Sequence, residues 1–387
     1  MRPLHTDVMR IQFFYNSPKA RRYFRALRDG LTQDSVALAP IGLASAPPLA
    51  DTEVAWMTHY SLARKAARPH LSEARIRQHT QVLRRFARWH YGAVLQRMQA
   101  MRPEVVGVWG GQGVDTRAVR AAAAALGIPC VLFETGLLPS TTTADARGVN
   151  FENAVPRDPR FYARYTATAA LPQQFVPRRQ PEGEAEPLPE RYVFVPFQVA
   201  LDSQVLLYSP WIRSMAQLYW LMESCLREVP EPLHLVCKPH PSCNLAHTEL
   251  RRHAHGHARI HMVDNHSSEA LIRGAEGVVT LNSSVGIEAL LLDRPVLCLG
   301  DACYAVPGVA ARARAPEPIR QWLTEVAAGH APEAPLRLPF LHWLANEYVI
   351  PDSHKAPGAA HFVRLRARLA AAAERTRYGY PHWAAAA

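Results

Sequence analysis

Short apolar runs of four to six residues recur along this chain, most of them followed by a turn and then an amphipathic helix, and that alternation restricts it to an α/β architecture. The segment Arg10 to Tyr15 (RIQFFY) reads as a strand, with Ser17 and Pro18 as the cap and first turn of a basic helix running to about Leu27. Val105 to Trp109 reads as a strand, Gly110 to Gly113 (GGQG) as a tight turn, Asp115 to Leu126 as an alanine-rich helix stopped by Gly127, and Ile128 to Phe133 as the next strand. Strand, glycine turn, helix, strand is a Rossmann-like βαβ unit. Between them, Ser72 to about Met101 has Val82, Phe86, Trp89 and Ala93 at three-and-four spacing, which predicts a packed helix with basic outer faces.

Between Pro177 and Arg191 (PRRQPEGEAEPLPER) the composition turns to proline and charge, with almost nothing to bury, so a linker is expected there. After it the alternation resumes. Strands are predicted over Tyr192–Phe197, Leu233–Cys237, Arg259–Val263, Gly277–Leu281 and Val296–Leu299, with helices around Trp211–Arg227, Ser268–Arg273 and Val285–Leu292. The expected organisation is a Rossmann-like domain over 1–176, a linker over 177–191, a second Rossmann-like domain over 192–345, and a C-terminal segment over 346–387. Two such domains are expected to face one another across a cleft.

At 387 residues with 48% hydrophobic side chains the chain buries a sizeable core, which excludes general disorder. The formal charge of +11 favours phosphate-bearing partners or anionic membrane surfaces. Charged residues interrupt every apolar run well before the roughly 18 residues a membrane span needs. Met1 to Val8 lacks the apolar core of a secretory signal and the six cysteines form no CxxC pair, so a reduced bacterial cytoplasm is the expected location. Cys130, Cys237 and Cys298 lie in apolar runs and read as small buried hydrophobes.

Ligands of open α/β sheets bind beyond the carboxyl ends of the strands, which singles out four clusters. Glu134, ending a buried strand, is followed by Thr135 and Gly136, a glycine that admits a ligand or another backbone; the carboxylate is a candidate acid or base, or else an ordinary helix cap. Gln198 and Asp202-Ser203-Gln204 follow the strand opening the second domain; Asp202 is a candidate nucleophile or base, with Gln198 and Ser203 orienting a sugar, or Asp202 and Ser203 simply start a helical turn. Lys238-Pro239-His240-Pro241 places two cationic side chains on a rigid turn suited to a phosphate, although a plain proline-bounded turn fits it too. Asn282-Ser283-Ser284 runs into a helix whose open N–H groups would favour an anion, with Glu288 one turn on to take ribose hydroxyls; a plain serine cap is the alternative.

Other signals weigh less. Gly110 to Gly113 lacks the full dinucleotide fingerprint, and no P-loop is present. The tract His253, His255, His257 and His261 reads as a solvated edge rather than a metal cage, so no metal is expected. The basic helices lack interleaved aromatic platforms, so no nucleic acid is expected. From Phe362 to Arg377, apolar Phe362, Leu365 and Leu369 share one side amid arginines, followed by Tyr378, Tyr380 and Trp383. That segment is expected to pack back onto the first domain, to touch an anionic membrane surface, or both.

Taken in order, Glu134–Pro139 (ETGLLP), Arg147–Asn150 (RGVN), Pro156–Tyr162 (PRDPRFY), Tyr192–Gln204 (YVFVPFQVALDSQ), Lys238–Pro241 (KPHP) and Thr280–Tyr304 (TLNSSVGIEALLLDRPVLCLGDACY) resemble the bacterial capsular polysaccharide biosynthesis and export proteins of the KpsS/LipB kind, and the related β-Kdo transferases. The resemblance spans about Phe133 to Pro307. It implies a GT-B-like glycosyltransferase that moves Kdo from CMP-Kdo, without metal or other cofactor, to a glycolipid or polysaccharide acceptor with retention. Glu134 is then the candidate acid/base and Asp202 the candidate nucleophile of a double displacement. Lys238, His240, Pro241, Asn282, Ser283 and Ser284 would hold the CMP-sugar and Glu288 the cytidine ribose. Gln198, Ser203, Gly136 and Arg157 would line the sugar or acceptor positions. Transfer from CMP-sialic acid or a UDP-sugar, and a non-catalytic export or scaffold role, are the competing expectations. The inner membrane surface is the expected place of work.

Overall fold

The structure, a computed structural model, describes residues 8–68, 71–173, 175, 184–230, 232–243, 245–330 and 332–377. It divides into two compact units, one made of 1–136, 140–154 and 349–387 and the other of 137–139 and 155–348.

The first unit opens with β1 (Arg10–Tyr15), α1 (Pro18–Gly30) and β2 (Ser35–Pro40), followed by the long helices α2 (Asp51–Ala66) and α3 (Glu73–Met101). β3 (Val105–Trp109), α4 (Val114–Ala125), β4 (Cys130–Thr135) and β5 (Thr142–Asp145) complete its sheet. The strand order is β2-β1-β3-β4-β5, parallel except for β5. Near-continuous apolar strands such as RIQFFY and VVGVW are buried on both faces, as a helix-covered parallel sheet requires. Phe13, Phe24 and Phe133 form an aromatic knot between β1, α1 and β4, with Phe13 and Phe24 stacked at 4.8 Å. The cap on α1 is as read: the Ser17 hydroxyl accepts from the Ala20 N–H and Pro18 sits in the first turn.

α3 differs from its expected packing. Its buried residues are Ala87, Tyr91, Gly92, Ala93, Val94, Leu95 and Met98, so of the four residues expected on the packed face Ala93 is buried and Phe86 half-buried, whereas Val82 and Trp89 are exposed. The helix is longer than the body it packs on, so three-and-four spacing of apolar residues continues past the end of the core.

The second unit begins with the short helix α5 (Pro159–Ala163), then β6 (Tyr192–Pro196), α6 (Ser203–Tyr208), α7 (Met215–Leu226), β7 (His234–Lys238), α8 (Thr248–His255), β8 (Ile260–Met262) and α9 (Ser268–Gly274). It continues through β9 (Gly277–Thr280), α10 (Val285–Leu291), β10 (Val296–Cys298), β11 (Ala311–Arg312), α11 (Pro316–Ala327) and α12 (Arg337–Trp343). All neighbouring strands are parallel, in the order β11-β10-β9-β6-β7-β8. The chain then returns to the first unit as α13 (Ala359–Arg377). Both units are thus Rossmann-like α/β layers, the architecture expected from the alternation.

The division falls ahead of the proline-rich stretch 177–191 expected to be the linker, of which 177–183 lie outside the described residues. Residues 155–175 join the second unit because Tyr162, fully buried, packs edge-on against Phe340 and Trp343 of α12. At the other end, Leu365, Leu369 and Ala372 of α13 enter the core of the first unit, and Arg366 pairs at 2.9 Å with the fully buried carboxylate of Asp34. The apolar side of the C-terminal helix is therefore used inside the protein; Tyr378, Tyr380 and Trp383 lie outside the described residues.

Candidate active site

In a parallel sheet that grows both ways from its first strand, a crevice opens where successive connections leave in opposite directions. In the second unit that point lies between β6 and β9, which are paired neighbours although β7 and β8 intervene in the chain. Two residues stand just beyond those two strand ends, Gln198 and Asn282. They are buried and bonded to each other twice: Gln198 Nε2 donates to Asn282 Oδ1 at 3.0 Å, and the Asn282 N–H donates to Gln198 Oε1 at 3.3 Å. Asn282 Nδ2 donates to the carbonyls of Gln204 and Tyr208 at 2.9 and 3.0 Å. One carboxamide thereby ties the end of β9 to the end of β6 and to α6.

The turn after Asn282 is held from several sides. The Ser283 N–H donates to Thr280 Oγ1 at 3.3 Å, Ser283 Oγ accepts from the Val285 N–H at 3.2 Å, and the Ser283 carbonyl accepts from the Tyr304 hydroxyl. Tyr304 is fully buried, and a Cβ at Gly286 would stand 2.3 Å from its hydroxyl oxygen, so glycine is what lets the ring lie against the first turn of α10. Tyr304 belongs to the longest matching motif but carried no assigned role; only the fold reveals it as the brace of the serine turn. The open helix-terminus donors expected from the sequence are taken: the N–H groups of Gly286, Ile287 and Glu288 bond to the carbonyls of Ser283 and Ser284. Recognition at this turn therefore falls to side chains. Ser284 and Glu288 lie one turn apart on the same helix face, both half-buried.

Asp202 is the N-cap of α6, exposed, with Oδ1 accepting from the Gln204 N–H at 2.8 Å and within 3.4 Å of the Ser203 hydroxyl. The helix-start reading of Asp202-Ser203 is therefore realised in the fold. Beyond β7, the neighbour of β6 on its other side, His240 Nδ1 accepts from the Ser242 N–H at 3.0 Å. This bond places the proton of the neutral ring on Nε2, which makes Nε2 a donor. Pro241 is exposed at the following turn. Lys238 points elsewhere: its ammonium donates to the carbonyls of Asp264 and His266, and partial burial pulls its pKa below the usual lysine value against the opposing pull of Asp264 and Glu186. It anchors the 264–266 loop, which the forked Arg251–Asp264 pair and the Glu186 carboxylate also hold. Arg157 likewise folds back onto the carbonyl of Val155.

In the first unit Glu134 lies at the carboxyl end of β4, half-buried, with Oε1 accepting from the Thr135 N–H at 2.9 Å. A Cβ at Gly136 would stand 1.9 Å from Thr141 Oγ1, and the Gly136 N–H donates to the Thr141 carbonyl at 2.9 Å. The close approach that this glycine permits is that of the returning β5 strand. Behind it Asp145, buried, accepts from the N–H groups of Arg147, Gly148 and Ala154 and so organises the RGVN motif.

The histidine tract is only in part the solvated edge expected: His255 is exposed, but His253, His257 and His261 are half-buried. His253 Nδ1 meets the Tyr219 hydroxyl at 2.8 Å and its ring packs on Trp220, while His261 Nε2 meets His234 Nδ1 at 3.0 Å. Among the described residues no group of three or more His, Cys, Asp or Glu is placed to hold a metal, and no helix is long and apolar enough to cross a membrane. Cys237 and Cys298 are buried and Cys130 partly so; burial pushes the thiols of Cys130 and Cys237 up to about 12. A cavity of about 380 Å³ lined by Pro295, Val296, Gly308, Ala311, Trp322 and Glu333 borders the amino end of β10, away from the strand-end residues.

Residues 183–330, which carry every one of these second-unit strand-end groups, match the family of capsule polysaccharide biosynthesis proteins. That match covers 148 of the 387 residues. Protein FixF of Sinorhizobium fredii is 34% identical over 258 residues, 63% of this chain and 60% of that protein. The capsule polysaccharide export protein KpsS of Escherichia coli is 31% identical over 128 residues, 32% of this chain and 33% of that protein. The chain thus spans less than two thirds of the length of these relatives. Among solved structures, the Thermosulfurimonas dismutans KpsC β-Kdo 2,7 transferase is 18% identical, with 83% of this chain and 89% of that chain covered at a TM-score of 0.43.

Proposed function

We propose that this protein is a GT-B-type glycosyltransferase of capsule or O-antigen assembly that moves Kdo from CMP-Kdo to a glycolipid or polysaccharide acceptor with retention of configuration, without a metal. The observation that carries the reading is the braced polar crevice at the switch point of the second unit, inside the segment that matches the capsule family. Its groups suit a nucleotide sugar: His240 Nε2–H and the Ser284 hydroxyl as donors to a phosphate, Glu288 as acceptor for two ribose hydroxyls, Gln198 and Ser203 beside the sugar. In this reading Asp202 attacks the anomeric carbon and releases CMP, and the glycosyl ester so formed is displaced by an acceptor hydroxyl whose proton passes to Glu134. Gly136 shapes the loop that follows Glu134, and Arg157 is the candidate for the acceptor side. All six cysteines are free thiols, which supports work in a reducing cytoplasm.

A second reading has one specific support: the E. coli relative is called an export protein. A non-catalytic polysaccharide carrier would bind no nucleotide. Titration of the purified protein with CMP, CDP, UDP and GDP in the presence of a chelator separates the two. CMP is expected to bind at least about tenfold more tightly than UDP or GDP, and His240→Ala to weaken it by about tenfold or more, the worth of one charge-assisted hydrogen bond. Indifference to all four nucleotides would remove the transferase reading, and a preference for UDP would move the donor to a UDP-sugar.

A further inference from the structure

The charge of this chain is concentrated in one place. Residues 61–90 hold eight arginines and lysines against one carboxylate, Glu73, which is most of the +11 carried by all 387 residues. Of these, 61–66 lie in α2 and 73–90 in α3, where few side chains are buried: Val54, Met57 and Thr58 are the buried residues of α2, and burial on α3 starts at Ala87. Arg75, Gln78, Val82, Arg85 and Trp89, spaced alternately by three and four, share one face of α3 and all are exposed, Val82 by 43% and Trp89 by 42%. Phe86 flanks the stripe, half-buried and edge-on to Trp89 at 5.7 Å. Arg64 and Arg68 are exposed at the end of α2.

A soluble polyanion is met by guanidiniums, with an indole useful only where a ring stacks on it, and leaves an exposed isopropyl group such as that of Val82 without a use. A bilayer surface uses both, because anionic headgroups attract the cations and the interfacial zone accepts the aromatic and aliphatic side chains. We propose that the exposed face of α3, with the end of α2, is the surface by which this protein docks on an anionic phospholipid bilayer. This inference is independent of the transferase reading, since a carrier would need the same surface. It also moves membrane contact away from the described part of α13, whose apolar side is buried in the first unit.

Vesicle co-sedimentation of the full chain tests it, with phosphatidylcholine vesicles containing about 30 mol% phosphatidylglycerol or none. The protein is expected to bind the anionic vesicles, to ignore the neutral ones and to be released by salt. Arg75→Ala with Arg85→Ala is expected to lower partitioning about 25-fold, at about fivefold per guanidinium near the surface. Val82→Ser with Trp89→Ala is expected to weaken binding while leaving its salt dependence, and Val363→Ser on the exposed side of α13 to change nothing. Thermal melts of the variants check that each is folded, as substitutions at exposed positions should be. Undiminished binding by the folded arginine and Val82/Trp89 variants would overturn the proposal. So would equal binding to neutral vesicles. Binding to dextran sulfate but to neither vesicle would assign the face to a soluble polyanion instead.

Discussion

Asn282→Ala is expected to destabilise the second unit by about 3 kcal/mol, because the lost carboxamide leaves Gln198 Nε2 without its acceptor and takes a donor from the carbonyls of Gln204 and Tyr208, the latter keeping the Asp301 N–H, at roughly 1–3 kcal/mol for an orphaned buried group. The more telling variant is Asn282→Asp. It keeps the shape and the acceptor toward Gln198, but it turns an oxygen toward two carbonyl oxygens that now receive an N–H. A side chain that merely filled space would tolerate this change; the one described here makes aspartate at least as harmful as alanine. Urea unfolding followed by hydrogen exchange in the second unit measures both. Wild-type protection in Asn282→Asp would contradict the bonding described at the β6–β9 crevice.

Asp202→Asn is expected to lower turnover on the order of a thousandfold or more while leaving stability within about 0.5 kcal/mol of wild type. Asparagine caps a helix as well as aspartate does, so α6 keeps the bond to the Gln204 N–H, whereas the neutral amide no longer attacks an anomeric carbon. Asp202→Ala separates the two roles further, since it removes the cap at a cost of about 1 kcal/mol as well as the proposed nucleophile. If Asp202 serves only as a cap, Asn restores full turnover and Ala loses stability alone. Steady-state CMP release and thermal melts on the two variants decide between these outcomes.

The strands and their order of appearance were legible because buried parallel strands are continuous apolar runs: Arg10–Tyr15 coincides with β1, and the strands around Val193, Leu235, Val278 and Leu297 are off by at most two residues at either end. β2, SVALAP, and α2 were not read from the sequence; β2 is a half-buried edge strand whose apolar run is only the four residues Val36–Ala39, closed by a proline. The unit boundary also escaped composition. It depends on Tyr162 meeting Phe340 and Trp343 and on α13 returning to Asp34, contacts across long stretches of chain that no local window contains. The excess of apolar spacing on α3 misled for the opposite reason: Val82 and Trp89 look like core by period yet lie beyond the body that the helix packs on.

At the site, strand-end reasoning found Gln198, Asp202, His240 and the 282–284 turn as separate clusters. What it could not supply was the pairing of Gln198 with Asn282 across 84 positions, which follows from β9 lying beside β6, or the roof that Tyr304 makes over Ser283. Lys238 shows the converse limit. Its place in the KPHP turn points to a phosphate, but an ammonium on a flexible stem goes to the nearest uncapped carbonyls, here those of Asp264 and His266.

The most direct measurement of the central claim is the reaction itself: CMP-Kdo and a Kdo-terminated glycolipid incubated with the protein and a chelator, with CMP release followed and the anomeric configuration of the product read by NMR. Stoichiometric CMP and a β-linked Kdo product are the results predicted here. An α-linked product would contradict the retaining double displacement at Asp202, and absence of both CMP and product would contradict the transferase itself.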